Sequence, residues 1–435
     1  MLTDPSSSTR LAAPQGGAEA PWLSIVGIGA DGEPGLCAAA RRCISEAALV
    51  VGSSRQLELV TGLLRGEVLQ WPSPFSVGIE RVLTRRGRST CVLASGDPFF
   101  FGVGASLAPQ LVPGEFVCHP APSSVSLAAA RLGWPLHDSD VVSLHGRDLY
   151  EIVRYLVPGR RVLALSWNGG TPAELARLLV ERGFGASRLV VLEALGGPSE
   201  RVREALAQAF ALDGVQDLNV IAVDLVASGS ITSSPTTTSP AASASAHGGL
   251  CRSSLPDAAF EHDGQLTKRD VRAITLSALG PRPGARLWDV GAGSGSIGIE
   301  WMLAHPACQA IAIERDAERC ARIRRNARQL GVPRLDVRHG EAPAALATLP
   351  APDAVFIGGG ASDARLIEAC WDALPVGGRL VANAVAIETQ ALLVEAYRRR
   401  GGELCRIAIE AAAPLGDMTC FRPALAVLEW RVDKS

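Results

Sequence analysis

The residues best placed for chemistry fall in Leu287-Trp-Asp-Val-Gly-Ala-Gly-Ser-Gly-Ser-Ile-Gly-Ile-Glu-Trp301, which reads as a buried strand, a glycine turn and a helix. Gly291, Gly293 and Gly295 let backbone approach a ligand where a Cβ would collide, and the helix that follows offers free N–H groups. Asp289 selects among ligands. It would repel a pyrophosphate at this helix end, whereas it attracts the cationic methionine part of S-adenosylmethionine (SAM). Glu314 closes the strand Gln309-Ala-Ile-Ala-Ile-Glu about twenty residues on, the place for an acid that grips ribose hydroxyls. Gly293-Ser-Gly-Ser-Ile-Gly298 also satisfies the dinucleotide spacing, so NAD or FAD is the competing ligand, and a purely structural turn is the bland reading. The two carboxylates favour SAM.

Other chemistry is thinly represented. The ten cysteines are scattered, with no Cys-x-x-Cys pair and no cysteine-histidine cluster at zinc spacing, so neither a metal site nor a disulfide framework is expected. A net charge of -2 without a lysine-rich block gives no reason to expect nucleic acid or an anionic membrane as partner. The start lacks a secretion signal and no apolar run is long enough to span a bilayer, which points to a reducing cytoplasm. Arginine greatly outnumbers lysine, and Arg41, Arg42, Arg55, Arg131, Arg147 and the Lys268-Arg269 pair are candidates to clamp carboxylates.

These residues need α/β elements to hold them. Residues 1–20 read as a disordered tail. The Ser/Thr/Pro/Ala stretch at 227–256 reads as a flexible linker spanning on the order of 30 Å, long enough for the units on either side to move independently. The second unit, 257–435, alternates apolar strand candidates at Arg286–Val290, Ala310–Glu314, Leu335–His339, Ala354–Ile357 and Gly378–Ala382 with helical stretches, which predicts a doubly wound parallel sheet. Gly401–Ala411 and Met418–Val432 follow as two strand-like runs, predicting a closing antiparallel hairpin. In the first unit, 21–226, Trp22-Leu-Ser-Ile-Val-Gly-Ile-Gly-Ala-Asp-Gly-Glu-Pro34 and Cys91-Val-Leu-Ala-Ser-Gly-Asp-Pro-Phe-Phe-Phe-Gly-Val-Gly104 each run a strand into a glycine turn. Three phenylalanines directly after Asp97-Pro98 suggest a pocket wall, with two of them free to be core.

Both halves resemble known families. Val26-Gly-Ile-Gly-Ala-Asp-Gly32, Ala94-Ser-Gly-Asp-Pro-Phe-Phe-Phe-Gly102 and Pro122-Ser-Ser-Val-Ser-Leu-Ala-Ala-Ala-Arg-Leu-Gly-Trp134 are similar to motifs of the tetrapyrrole methylases, and Ser143-Leu-His-Gly-Arg147 to the branch that methylates C5 of a precorrin. Asp263-Gly-Gln-Leu-Thr-Lys-Arg-Asp-Val-Arg272, Asp353-Ala-Val-Phe-Ile-Gly-Gly-Gly360 and Val381-Ala-Asn-Ala-Val385 resemble the C15 methyltransferase and decarboxylase. The resemblance implies a two-lobed tetrapyrrole methylase fold followed by a Rossmann-like, seven-stranded class I SAM methyltransferase fold. It also implies one SAM per domain and precorrin-6B as substrate, methylated at C5 and C15 and decarboxylated at the C12 acetate. It places the first SAM against Gly96, Asp97, Phe100, Gly102, Ser123 and Ser124, and the second against Thr267, Asp289, Gly291, Gly293, Gly295, Glu314 and Ala342. One departure stands out. The usual Asn-Pro-Val near the C-terminus is absent from Phe421-Arg-Pro-Ala-Leu-Ala-Val-Leu-Glu-Trp430, a change that touches local packing or substrate contact.

Methyl transfer from a sulfonium to a ring carbon is a direct displacement that needs no protein nucleophile and no metal; orientation does most of the work. Decarboxylation can use the macrocycle as electron sink. Lys268 and Arg272 are therefore expected to position the acetate arm, and His145, at the end of Val141-Val-Ser-Leu144, to face the macrocycle; His119 is the weaker histidine candidate. A SAM methyltransferase for another small molecule, a SAM- or tetrapyrrole-binding protein with one inactive half, and an NAD-linked oxidoreductase are the rival functions. A homo-oligomer is the general expectation.

Overall fold

A computed structural model describes residues 21–227, 254–359 and 363–435. The tail and nearly all of the linker read from the sequence lie outside the described residues, as does Gly360.

The first domain has two lobes. Strands β1 (Leu23–Ile28), β2 (Leu49–Gly52), β3 (Glu67–Gln70), β4 (Thr90–Ser95) and β5 (Phe116–His119) form a wholly parallel sheet in the order β3-β2-β4-β1-β5. Leu23 and Ile25 of β1 enter the core on one face, Val26 and Ile28 that on the other, which is why the strand is apolar throughout. The second lobe is a mixed sheet of β6 (Ser139–Ser143), β7 (Arg161–Leu165), β8 (Arg188–Glu193), β9 (Arg201–Leu206) and β10 (Asn219–Asp224), ordered β6-β7-β10-β8-β9, in which only β6 and β7 run parallel.

The second domain is one seven-stranded sheet. Strands β11 (Arg286–Val290), β12 (Gln309–Glu314), β13 (Asp336–His339), β14 (Ala354–Ile357) and β15 (Arg379–Ala384) are parallel, and β16 (Glu403–Ile407) and β19 (Val427–Asp433) complete the order β13-β12-β11-β14-β15-β19-β16 with β19 antiparallel to both neighbours. The two C-terminal runs do close the sheet as a hairpin, but each breaks in two. Their inner parts, β17 (Glu410–Leu415) and β18 (Met418–Pro423), pair only with each other in a ribbon that projects from the sheet, with Phe421 73% exposed. The departure from Asn-Pro-Val spans this ribbon and the start of β19.

The two domains dock along one face. Arg328 Nε donates to Asp148 Oδ2 at 2.9 Å, and the Arg328 guanidinium stacks on the Tyr150 ring from 4.1 Å. Arg154 Nη2 donates to the Met302 carbonyl at 3.1 Å. Loop-closure entropy rises only slowly with linker length, so a long tether does not keep such surfaces apart. Gly331 holds φ 87, and a Cβ there would sit 2.6 Å from the Arg154 backbone nitrogen. Gly331→Ala should wedge the domains open. Small-angle scattering is expected to report a larger radius of gyration than for the parent chain.

Candidate functional site

In the first domain three sequence motifs meet at one sheet edge. The turns after β1 and β4 and the Ser123-Ser124 turn after β5 all lie at the carboxyl ends of adjacent parallel strands, where open sheets hold ligands. Gly27 is required there: a Cβ would fall 2.1 Å from the Gly96 carbonyl oxygen and 2.6 Å from the Ala121 nitrogen. Gly96, at φ 60, donates to the Ile28 carbonyl and accepts from Ala121. Asp97 Oδ1 accepts from Phe99 N at 2.8 Å, and Ser123 Oγ caps the helix Ser124–Leu132 by accepting from Ser126 N at 3.0 Å. Gly102 serves the loop itself, since a Cβ would meet the Pro98 carbonyl at 2.5 Å. None of Phe99, Phe100 and Phe101 is core; all three are exposed beside the turn, and Phe101 takes φ 56, the left-handed region that a bulky residue rarely adopts.

The other first-domain candidates divide. His145 is exposed just beyond the end of β6. His119 Nε2 lies 3.4 Å from Cys43 Sγ, a structural contact. Arg41 donates to the Leu36 carbonyl, Arg55 to Ser95 Oγ, and Arg131 pairs with Glu200 at 2.6 Å, so these three side chains are engaged within the fold.

In the second domain the turn after β11 is built by three left-handed glycines, Gly291, Gly293 and Gly295, at φ 71, 60 and 77. Each is also crowded. A Cβ on Gly291 would lie 2.6 Å from the Gly359 carbonyl oxygen, one on Gly293 3.1 Å from the Gln265 carbonyl oxygen, and one on Gly295 2.7 Å from Ile323 Cγ2. Gly295 then starts the helix Ser296–Ala304 without any side-chain cap, which leaves N–H groups at that end for a ligand. Glu314, at the end of β12, is 4% exposed; its Oε2 accepts from Gly293 N at 2.9 Å and its Oε1 from Asp316 N at 3.1 Å, with lone pairs left over for hydroxyl donors. Thr267 follows Gln265 in the segment lying against the turn, and Ala342 lies beyond β13 on the same edge.

Asp289 does something the sequence did not reveal. It is 1% exposed, and its Oδ2 accepts from Gly298 N at 2.9 Å, tying β11 to the first turn of the helix. Burial, with the Glu314 charge adding to it, pushes its carboxyl up to about 7. Its folded pKa thus exceeds its unfolded one, and ionisation costs stability progressively as pH rises from about 4 through 7. A cation bound beside it relieves that cost. SAM should therefore bind this domain more tightly at pH 8 than at pH 6, and calorimetric titration of Asp289→Asn should show the slope gone.

Arg272 is a correction. Instead of facing a substrate it is wholly buried, with Nε 2.6 Å from Glu300 Oε1 and Nη1 bonded to Asp257 Oδ1 and to the Thr267 carbonyl. It stacks 4.8 Å from the Phe260 ring. Its place one turn into the helix Arg269–Leu279 puts it on the inward face. Lys268, at the N-cap of that helix, stays exposed, with Asp257 3.8 Å away.

Sequence reasoning passed over two features. Ser294 is 1% exposed with a hydroxyl that finds no partner, inside the glycine turn itself. A buried polar chain runs from Asn383 Nδ2 to Thr275 Oγ1 at 2.9 Å and on from that hydroxyl to Glu429 Oε2 at 3.0 Å, and burial raises the Glu429 carboxyl. A lone glutamate in the apolar run Val427-Leu-Glu-Trp430 was the available signal.

Residues 23–211 match the family described as Tetrapyrrole (Corrin/Porphyrin) Methylases, and 258–434 the Precorrin methyltransferase domain. A Sinorhizobium precorrin-6Y C(5,15)-methyltransferase [decarboxylating] is 52% identical over 94% of this chain and 96% of its own. The Mycobacterium tuberculosis protein of that name is 43% identical over 95% of this chain and 100% of its own. The crystal structure of the C-terminal domain of precorrin-6Y C5,15-methyltransferase from Rhodobacter capsulatus is 46% identical over 42% of this chain and 97% of its own, with a TM-score of 0.40. At these identities across nearly the whole length, the chain belongs to the precorrin-6Y C(5,15)-methyltransferase (decarboxylating) family.

Proposed function

We propose that this chain uses SAM to methylate C5 and C15 of precorrin-6B and decarboxylates its C12 acetate arm, giving precorrin-8 in cobalamin synthesis. The observation that carries the reading is the pair of glycine turns, each at the carboxyl ends of adjacent parallel strands in its own sheet, in one chain of this family. Two such turns suit two methylations, and one SAM is assigned to each. In the first, Gly96, Asp97, Phe100, Gly102, Ser123 and Ser124 form the walls. In the second, Thr267, Gly291, Gly293, Gly295 and Ala342 hold the ligand, Glu314 takes the ribose hydroxyls and Asp289 supports the cation.

Bound SAM supplies an electrophilic methyl group, and the chain's task is to hold the accepting ring carbon in line with it, which is worth roughly 7–11 kcal/mol. Lys268 is the exposed cation beside the second cleft suited to an acetate carboxylate, and His145 the polar group suited to the macrocycle in the first. The low net charge and scattered cysteines support a cytoplasmic setting; among the described residues no helix is long and apolar enough to cross a membrane. A closed homo-oligomer completes the proposal.

The test is mass spectrometry of the tetrapyrrole after precorrin-6B and SAM meet the whole chain. Two methyl groups gained and one carbon dioxide lost is the expected product. Unchanged precorrin-6B would sink the substrate assignment, and stabilisation of the second domain by NAD but not SAM would sink the cofactor assignment as well. Lys268→Ala should slow carbon dioxide release without lowering the melting temperature; undiminished release would remove Lys268 from the site.

A further inference from the structure

The docked domains enclose a groove of about 380 Å³, with Phe101, Arg147, Glu151 and Arg154 on the first domain's wall and His305 and Arg334 on the second's. Its charge is unbalanced. Glu151 is 6% exposed, with Arg334 Nε 3.1 Å from its Oε1 and Arg147 Nη1 3.6 Å from its Oε2, so one carboxylate serves two guanidiniums while Arg154 adds a third. Arg334 and Arg147 remain 53% and 37% exposed. His305 Nδ1 accepts from Ala307 N at 3.0 Å, which leaves Nε2–H of the neutral ring as a donor. The Arg147 guanidinium lies 5.8 Å from the centre of the exposed Phe101 ring, next to the Gly96-Asp97-Pro98 turn. The groove thus reaches, through Phe101, the loop that follows the first domain's glycine turn.

Its position relative to the second domain's own cleft is opposite. His305 follows the C-terminus of the helix Ser296–Ala304, and Arg334 precedes β13, so both sit at the amino edge of the seven-stranded sheet, about 17 Å, one strand length, from the glycine turn at the carboxyl edge. We infer that the second domain completes the first domain's substrate site, with Arg334, and His305 beside it, binding carboxylate arms of the tetrapyrrole during C5 methylation. The inference rests on the function proposed above. At 380 Å³ the groove takes acidic arms and not the macrocycle, which stays over the Phe99–Phe101 wall. Guanidiniums held by a carboxylate are pre-oriented for this task.

Steady-state kinetics of the full chain test it, with the C15-methylated, decarboxylated tetrapyrrole as substrate for the C5 step. Arg334→Gln should raise the C5 KM about tenfold, the worth of one charge-assisted contact, and leave kcat within about twofold. Arg334→Lys should restore most of the affinity, and C15 methylation of precorrin-6B should be unchanged. Arg328→Gln, which loosens the docking that carries Arg334 to the site but keeps the Arg334 guanidinium, should raise the C5 KM by less than Arg334→Gln does. An unaltered C5 KM in Arg334→Gln, an equal rise in Arg328→Gln, or a parallel loss at C15 would each overturn the inference. A parent chain that methylates C15 but never C5 would instead defeat the functional reading on which it rests.

Discussion

Gly291→Ala is expected to abolish methylation at C15 while leaving the first domain's SAM binding intact. Two costs combine at this position. The left-handed conformation at φ 71 costs an alanine about 1–2 kcal/mol, and the new Cβ would lie 2.6 and 2.7 Å from the backbone of Gly359, which has no flexible end to swing away. Relief requires the turn after β11 to move off the loop after β14, and that turn is the one assigned above to SAM. Isothermal titration should show SAM affinity in the second domain falling by about two orders of magnitude, which corresponds to roughly 2.7 kcal/mol. Binding to the first domain serves as the internal control. A variant with unchanged C15 methylation would show that the Gly291 turn does not hold the cofactor.

Arg272→Met should lower the melting temperature of the second domain by about 6–20 °C. The side chain is wholly buried against Glu300, itself 1% exposed, and deleting one partner of such a pair costs about 3–5 kcal/mol because the other charge is left stranded. In a domain of this size each kcal/mol moves the midpoint by about 2–4 °C. Glu300 also accepts from Leu255 N at 3.0 Å, and Arg272 holds the Thr267 carbonyl at 2.6 Å, so the segment Ser254–Thr267 is anchored through this pair. Arg272→Met with Glu300→Gln should recover part of the loss. The alternative expectation, that Arg272 grips the substrate's acetate arm, requires the opposite pattern: slowed carbon dioxide release at an unchanged melting temperature. Calorimetry beside a carbon dioxide assay separates them.

Arg272 and Lys268 show where a sequence stops being informative. Both stand in Thr267-Lys-Arg-Asp-Val-Arg272, both are cations, and nothing local distinguishes them. The structure puts Lys268 at the exposed N-cap of a helix and Arg272 on its inward face beside Val271, Thr275 and Leu276. Asp289 behaves in the same way. Its charge suggested a partner for a cation, but its depth and its bond to Gly298 N depend on how the helix folds back on β11. The phenylalanines after Asp97-Pro98 were legible as unusual and not as exposed, because exposure depends on which distant elements pack over that turn.

What the sequence determined by itself is the set of backbone conformations. Left-handed φ at Gly96, Gly291, Gly293 and Gly295, strands with apolar residues on both faces, and an acid ending β12 are requirements of single residues and their neighbours, so residue type reveals them. Tertiary structure alone decided which charges are buried holding loops, which stay exposed, and that the domains dock through Tyr150, Arg154 and Gly331. Those outcomes depend on burial and on contacts between residues far apart in the chain. Burial turns the Arg272 guanidinium into an anchor while the Lys268 ammonium four residues earlier stays in solvent, and no local spacing encodes that difference.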